Sequence, residues 1–302
     1  LRPRRAVVKV RIGIGFGRAV LEPEELAAVG RQILVSGFDS IWLSEVLASG
    51  GLDPFVALAY LAAAVPGLKL GTTMLLPGRN PLRLAKSLAT LDRCCDGNLL
   101  VTFVPGLTEG AERAAVGVAP AHRGAAIEEL LPLVRRLLDG ERVEYSGPAG
   151  PVIGVTCAPL PRQRPLEFWL GGMAPAALER CGRIGDGWLP SSCTPEEARS
   201  GRAVVEAAAA AVGRTIDPDH FGVSLAYARA PFTDEERHLL ERGLRGRAPE
   251  AVIPVGREAL RRAIEGFTEV GFSKFVLRPV APPRSILEEI ERLADDVADL
   301  QT

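Results

Sequence analysis

A closed (β/α)8 barrel of the TIM type, in the α/β class and running through residues 1–302 as one domain, is the fold this sequence predicts. Short β-branched or apolar runs alternate with longer amphipathic stretches, the pattern of a parallel sheet built from βα units. Eight such runs can be counted, and 302 residues is close to what eight units need. Length alone also allows an open doubly wound sheet, which the count of eight disfavours. The predicted strands are residues 8–16, 40–45, 69–76, 98–104, 166–170, 187–191, 221–228 and 274–278.

The first run ends in Gly13-Ile14-Gly15-Phe16-Gly17-Arg18, which looks like a dinucleotide fingerprint. Arg18 stands where the third glycine belongs, and the next acid near the required offset, Asp39, precedes a strand instead of ending one, so a Rossmann site is set aside. The second run delivers Glu45, the one carboxylate at a strand exit, as a base or as the buried partner of a neighbouring arginine. Asp53-Pro54 then opens a helix with apolar residues on every face. A barrel helix keeps one wet face, so its outer side is expected to meet a second subunit, with an insertion of the same chain as the alternative.

The third run carries Thr72 and Thr73, and Asn80-Pro81 supplies a cap and a first-turn proline for the helix behind it. After the fourth run and a helical pattern over 125–139, residues 141–165 are rich in Pro and Gly and predict a hairpin-like insertion. The fifth run leads into Gly171-Gly172-Met173-Ala174-Pro175. There two glycines permit close backbone approach and a helix start points free N–H groups outward, either as a phosphate site or as a tight turn needing glycine only for sterics. Ser191 and Ser192 follow the sixth run, and Thr194-Pro195-Glu196-Glu197 places acids at the positive end of a helix. A second insertion, residues 229–256 with an amphipathic core over 235–244, follows the seventh run where barrel loops surround the active site, and is a candidate lid. Arg278 ends the eighth run, where an arginine suits an anionic group of a substrate or cofactor, or a structural ion pair.

Composition narrows the function. The formal charge of −1 leaves no footprint for nucleic acid or an anionic membrane. The longest uncharged helical stretch, residues 54–68, is shorter than the roughly 20 residues that span a bilayer. Residues 1–11 are basic with no apolar segment behind them, so the expectation is an unprocessed cytoplasmic protein. Five scattered cysteines predict neither a disulfide framework nor a metal site. Lys9, Lys69 and Lys274 fall at strand starts and Lys86 inside a helix, which disfavours lysine chemistry. His122, His220 and His238 are not placed to converge on a metal. A barrel this poor in acids, bases and ligands at its strand ends needs a borrowed reactive group, and an organic cofactor supplies one. A cofactor-free lyase or hydrolase is disfavoured by the same poverty.

In order along the chain, Gly37-Phe38-Asp39-Ser40-Ile41-Trp42-Leu43-Ser44-Glu45, Asp53-Pro54, Leu70-Gly71-Thr72, Pro77-Gly78-Arg79-Asn80-Pro81, Trp169-Leu170-Gly171-Gly172-Met173, Gly185-Asp186-Gly187-Trp188-Leu189-Pro190 and Leu277-Arg278-Pro279 resemble the bacterial luciferase-like monooxygenase family. The resemblance implies a barrel that binds coenzyme F420 or, alternatively, FMN, as a homodimer acting on a small organic molecule by hydride transfer or oxygen activation. The arginine-rich, lysine-poor composition favours the deazaflavin by association with GC-rich coding. By position, the resemblance implies that Thr72, Thr73 and Met74 back the ring through a bulge with a non-prolyl cis peptide. It further implies that Val104, Pro105 and Gly106 line the ring's edge and that Gly171, Gly172 and Met173 receive the phosphate. Two positions depart from the family: Val46 stands where relatives carry a histidine after the acid, and Leu107 where sugar-phosphate dehydrogenase relatives carry a glutamate. That leaves Glu45 as the local acid, and a barrel that binds the cofactor without turnover as the alternative.

Overall fold

The structure is a computed structural model that describes residues 9–17, 19, 21–107 and 110–302. Val8, predicted to begin the first strand, and Arg18, of the rejected fingerprint, lie outside these residues. Eight parallel strands form one sheet: β1 Arg11–Gly15, β2 Ser40–Ser44, β3 Lys69–Leu75, β4 Leu99–Val104, β7 Phe168–Leu170, β8 Gly187–Trp188, β9 Gly222–Tyr227 and β10 Lys274–Pro279. The order β8-β7-β4-β3-β2-β1-β10-β9 closes on itself, because bridges Trp188↔Phe221 and Ser191↔Ser224 join its two edges. Each predicted strand is present; seven are trimmed by one or more residues where the ladder hydrogen bonds stop, and the last runs one residue further, to Pro279.

Caps act where the sequence places them. Asp53 accepts from the Val56 N–H at the start of α2 (Pro54–Ala64), and Asn80 accepts from Leu82 and Arg83 at the start of α3 (Pro81–Cys94). Thr194 and Glu197 form a reciprocal capping box on α7 (Pro195–Ala211). The insertion after β4 is a two-stranded antiparallel hairpin, β5 Val143–Tyr145 with β6 Val152–Val155. Asn80 also donates to the Ala149 and Gly150 carbonyls at the hairpin's tip, and buried Asp92 accepts from Arg162 N, Gln163 N and Gln163 Nε2 at its return. Two polar side chains, the α3 cap and one of its residues, thus tie down both ends of an excursion whose Val143, Val152, Cys157 and Leu166 join the main core.

The outer faces of the strands pack under the helices in one apolar layer that includes Ile12, Ile41, Leu43, Leu70, Met74, Val101, Phe103 and Phe275. By strand alternation the neighbouring residues point into the barrel. Among the described residues no helix is long and apolar enough to cross a membrane. On α2, Val56 and Tyr60 stay exposed at 72% and 46%, and nothing in the described residues covers that face.

Candidate functional site

The lower barrel is filled by two tryptophans. Trp42 of β2 and Trp169 of β7 pack with Leu189 and Val276, and glycines make the room for them. A Cβ on Gly71 would lie 2.3 Å from Trp42 ring carbons, one on Gly13 2.7 Å from its Nε1, and one on Gly187 2.4 Å from the Trp169 ring. Above this floor the inward positions are Ser44, Thr73, Ser191, Ser224, Ala226 and Arg278, with apolar Leu75 and Val104 beside them. Ser44 and Ser191 face inward and are nevertheless exposed, so the mouth is open to solvent.

The insertion after β9, the candidate lid, packs against one side of that mouth. Residues 229–256 contain α8 (Asp234–Gly243), and Val252 and Ile253 pack on Ala226 together with Phe232 and Leu240. Ala228 and Gly256 close its base through Ala228 N to Pro254 O and Gly256 N to Ala228 O. Arg229 anchors that base to Glu289 and Asp296, and Arg247 reaches Glu197 at 2.9 Å.

Glu45 lies next to the mouth and points away from it. The alternation that turns Ser44 inward sends Glu45 to the corner between β3 and α3. There one carboxylate oxygen accepts the Leu75 N–H at 2.8 Å and the other pairs with Arg79. Arg79 also donates to the Leu75 carbonyl and lies over the Phe55 ring. Of the two roles the sequence left open for Glu45, the structure displays the buried ion pair. The segment Thr72-Thr73-Met74 differs from expectation: β3 runs in unbroken register against both β2 and β4, so it is not bulged, and among the described residues the cis peptides precede Pro159 and Pro165 only. Thr73 alone faces the barrel, while Thr72 and Met74 are buried on the helix side.

At the exit of β4, Val104, Pro105 and Gly106 are half-buried along the rim. Gly106 has φ +84°, and a Cβ there would meet Leu75 at 2.8 Å, so this turn needs glycine. The turn is held by Arg123 at the head of α5 (Arg123–Leu138), whose fully buried guanidinium donates to the carbonyls of Pro105, Leu107, Arg113 and Val118. Leu107 itself is exposed, but buried Glu112 heads the short helix just after it: its Oε1 accepts from Leu107 N and its Oε2 has no partner among the described residues. Neither Arg123 nor Glu112 stood out in the sequence. A charge at the start of a helix looks like any solvated surface charge in the sequence and becomes distinctive only once its burial is known.

After β7, Gly172 adopts φ +113° and its carbonyl accepts from Trp188 Nε1 at 3.0 Å, which locks the turn. The helix it feeds, α6 (Pro175–Ile184), has no side-chain cap. Among the described residues the N–H groups of Gly172, Met173, Ala174 and Ala176 meet no acceptor, and Ala174 and Ala176 are exposed at the positive end of the α6 dipole. Beside Met173 a cleft of about 490 Å³ runs between α6 and α7 toward Ser192, Ser200 and Arg247.

The remaining reactive groups are elsewhere. Lys274 lies at the lower end over the Trp169 ring, and burial, then Arg11, pushes its ammonium down. His220 contacts Trp169 and Glu167 below the barrel, and His238 is on the exposed lid helix. All five cysteines are free, and burial pushes the Cys95 thiol up to about 11 and those of Cys181 and Cys193 up to about 12. No group of three or more His, Cys, Asp or Glu among the described residues is placed to hold a metal.

An uncapped, glycine-shaped helix start beside a solvent-open mouth with an aromatic floor fits a phosphate-tethered ring: the free N–H groups suit the phosphate, and the exposed Ser44 and Ser191 mark the opening. Comparison with known proteins agrees on the architecture. An F420-dependent glucose-6-phosphate dehydrogenase of Kineococcus radiotolerans is 28% identical over 194 residues, covering 61% of this chain and 57% of that enzyme. A second, from Nakamurella multipartita, is 29% identical over 195 residues, covering 61% and 56%. The chain thus spans a little over half the length of these curated relatives. Among solved structures, the coenzyme F420-dependent tetrahydromethanopterin reductase of Methanopyrus kandleri superposes with a TM-score of 0.78 over 97% of this chain and 100% of that one, at 18% identity. At that identity the likeness speaks for the barrel fold. The family model for luciferase-like monooxygenases matches residues 8–295, nearly the whole barrel from β1 to α10 (Ile286–Val297), and the chain belongs to that family.

Proposed function

We propose that this protein is an oxidoreductase of the cytoplasm that holds a deazaflavin of the F420 type in its barrel mouth, with FMN as the alternative. The observation that carries the reading is the uncapped turn after β7: Gly171 N–H is taken by the Phe103 carbonyl, but the N–H groups of Gly172, Met173, Ala174 and Ala176 meet no acceptor among the described residues and are a ready anion site beside an open barrel. The F420-dependent relatives point to the deazaflavin, and so does the cleft beside Met173: a phosphodiester needs space for the chain beyond it, whereas the FMN phosphate is terminal. Bound there, the cofactor supplies hydride transfer to or from an organic substrate.

The chain's own residues position and exclude. Thr73 offers a hydroxyl toward the mouth, Val104, Pro105 and Gly106 form its rim, and Thr72 and Met74 hold β3 against the helices from behind. Glu45 sets the β3–α3 corner through Leu75 and Arg79, and the residues over 229–256 limit water on the far side. The engagement of both Glu45 oxygens favours one second reading, a barrel that binds the cofactor without turnover.

Fluorescence titration with each cofactor tests the proposal. Micromolar or tighter F420 binding is expected, and tight FMN binding with no response to F420 would reverse the preference. Glu45→Gln removes the charge facing Arg79 and is expected to cost about 1.5–3 kcal/mol of stability. If turnover vanishes in a folded Glu45→Gln protein with unchanged cofactor affinity, the enzyme reading stands and its silent alternative falls.

We also propose a homodimer built on the outer face of α2. Val56→Arg together with Tyr60→Glu is expected to convert a dimer to a monomer in sedimentation velocity. A wild-type monomer at tens of micromolar would remove this interface.

A further inference from the structure

We infer that Arg278 is the anion anchor of the substrate site, and hence that the substrate carries a carboxylate or phosphate group. This rests on the barrel mouth being the reaction site proposed above. Arg278 is the last inward residue of β10, level with Ala226 of β9, and its Cβ lies 3.6 Å from where a Cβ on Gly15 would stand. A side chain at Gly15 would therefore crowd the stem of Arg278, and its absence leaves the stem free to turn toward β9. Its Nε donates to Ser224 Oγ at 3.2 Å, and no carboxylate lies within ion-pair distance among the described residues.

The other arginines around this end are treated differently. Arg79 is held by Glu45, Arg229 by Glu289 and Asp296, Arg247 by Glu197, and Arg123 by four carbonyls. Only Arg278 among these is half-buried with a single neutral partner, and burial pushes its guanidinium down. A cation kept inside a fold without a counter-charge costs stability, and the cost is retained where a ligand supplies the missing charge. The ligand's oxygens would find the guanidinium fork and nearby hydroxyls, since Ser224 and Ser191 are paired across the same part of the rim. The phosphate turn at Gly172 lies beyond β8 and belongs to a different strand exit, so one anion at each place is compatible with both being filled.

The test uses full-length protein with and without saturating F420. Inorganic phosphate, benzoate and succinate are titrated by calorimetry beside neutral benzamide and succinamide, against wild type, Arg278→Met and Arg278→Lys. At least one anion is expected to bind wild type at millimolar or better, with its neutral counterpart at least tenfold weaker. Arg278→Met should lose that binding at least tenfold, keep F420 affinity within twofold, and melt no lower than wild type, because it removes an uncompensated charge. Arg278→Lys should retain part of the anion affinity. If no anion binds wild type, or Arg278→Met binds the anions unchanged, the inference fails. If Arg278→Met loses F420 affinity as much as anion affinity, the guanidinium serves the cofactor and the inference also fails. Failure of wild type to bind either cofactor would instead overturn the proposed function while the anion titrations without cofactor remain readable.

Discussion

Gly172→Asp is expected to weaken cofactor binding at least a hundredfold, about 2.7 kcal/mol, in a protein that still folds. Two effects combine at this position. The backbone at φ +113° is a conformation that L side chains rarely adopt, and the new Cβ would press on the Ala177 Cβ at 3.1 Å. The carboxylate would also stand among the free N–H groups of Met173, Ala174 and Ala176, occupying the place of the phosphate and repelling it. Gly172→Ala separates the two, since it carries the backbone strain of about 1–3 kcal/mol without the charge. Fluorescence titration and thermal melting of both variants check this. Wild-type affinity in folded Gly172→Asp would move the phosphate to another strand exit.

Arg123→Met is expected to give the largest loss of stability, about 3–5 kcal/mol. The guanidinium holds four carbonyls spread from Pro105 to Val118, and methionine fills the volume while satisfying none of them. Urea unfolding measures the loss, and hydrogen exchange across the β4 exit loop should accelerate more than elsewhere. Cofactor affinity should fall with it, because Val104, Pro105 and Gly106 are the rim the arginine keeps in place. Arg123→Lys, with fewer donors and no planar fork, should recover only part of the stability. A stability loss under 1 kcal/mol would mean that water replaces the guanidinium and that the loop needs no internal anchor.

The eight strands were readable because each is buried on its outer face by helices and so carries a continuous apolar signal, from Ile12 to Leu277. The caps at Asp53, Asn80 and Thr194 were readable because capping is local chemistry with a fixed spacing. The site was legible only where local rules applied. The geometry of the Gly171-Gly172-Met173 turn qualifies, since a glycine pair before a helix start constrains the backbone whatever surrounds it, while its use as an anion site is our proposal. The roles of Thr72, Met74 and Glu45 did not qualify, because each depends on which side of a strand faces the barrel. A position one residue away turns to the opposite face, as Ser44 and Glu45 show.

What the amino-acid order alone determined is the repeating βα plan, the places where helices begin, and the want of acids and bases at the strand ends. These follow from periodicity and from contacts within a few residues. Closure of the sheet between β8 and β9 decided which of those residues share an interior, and with it the Trp42 and Trp169 floor, the hydroxyl-lined mouth, and the pairing of Glu45 with Arg79. It also decided that Arg278 has no acid within ion-pair distance among the described residues while Arg79, Arg229 and Arg247 have one. Whether a charge is compensated is a matter of distance through space, and distances between residues far apart in the chain are fixed only when the barrel shuts.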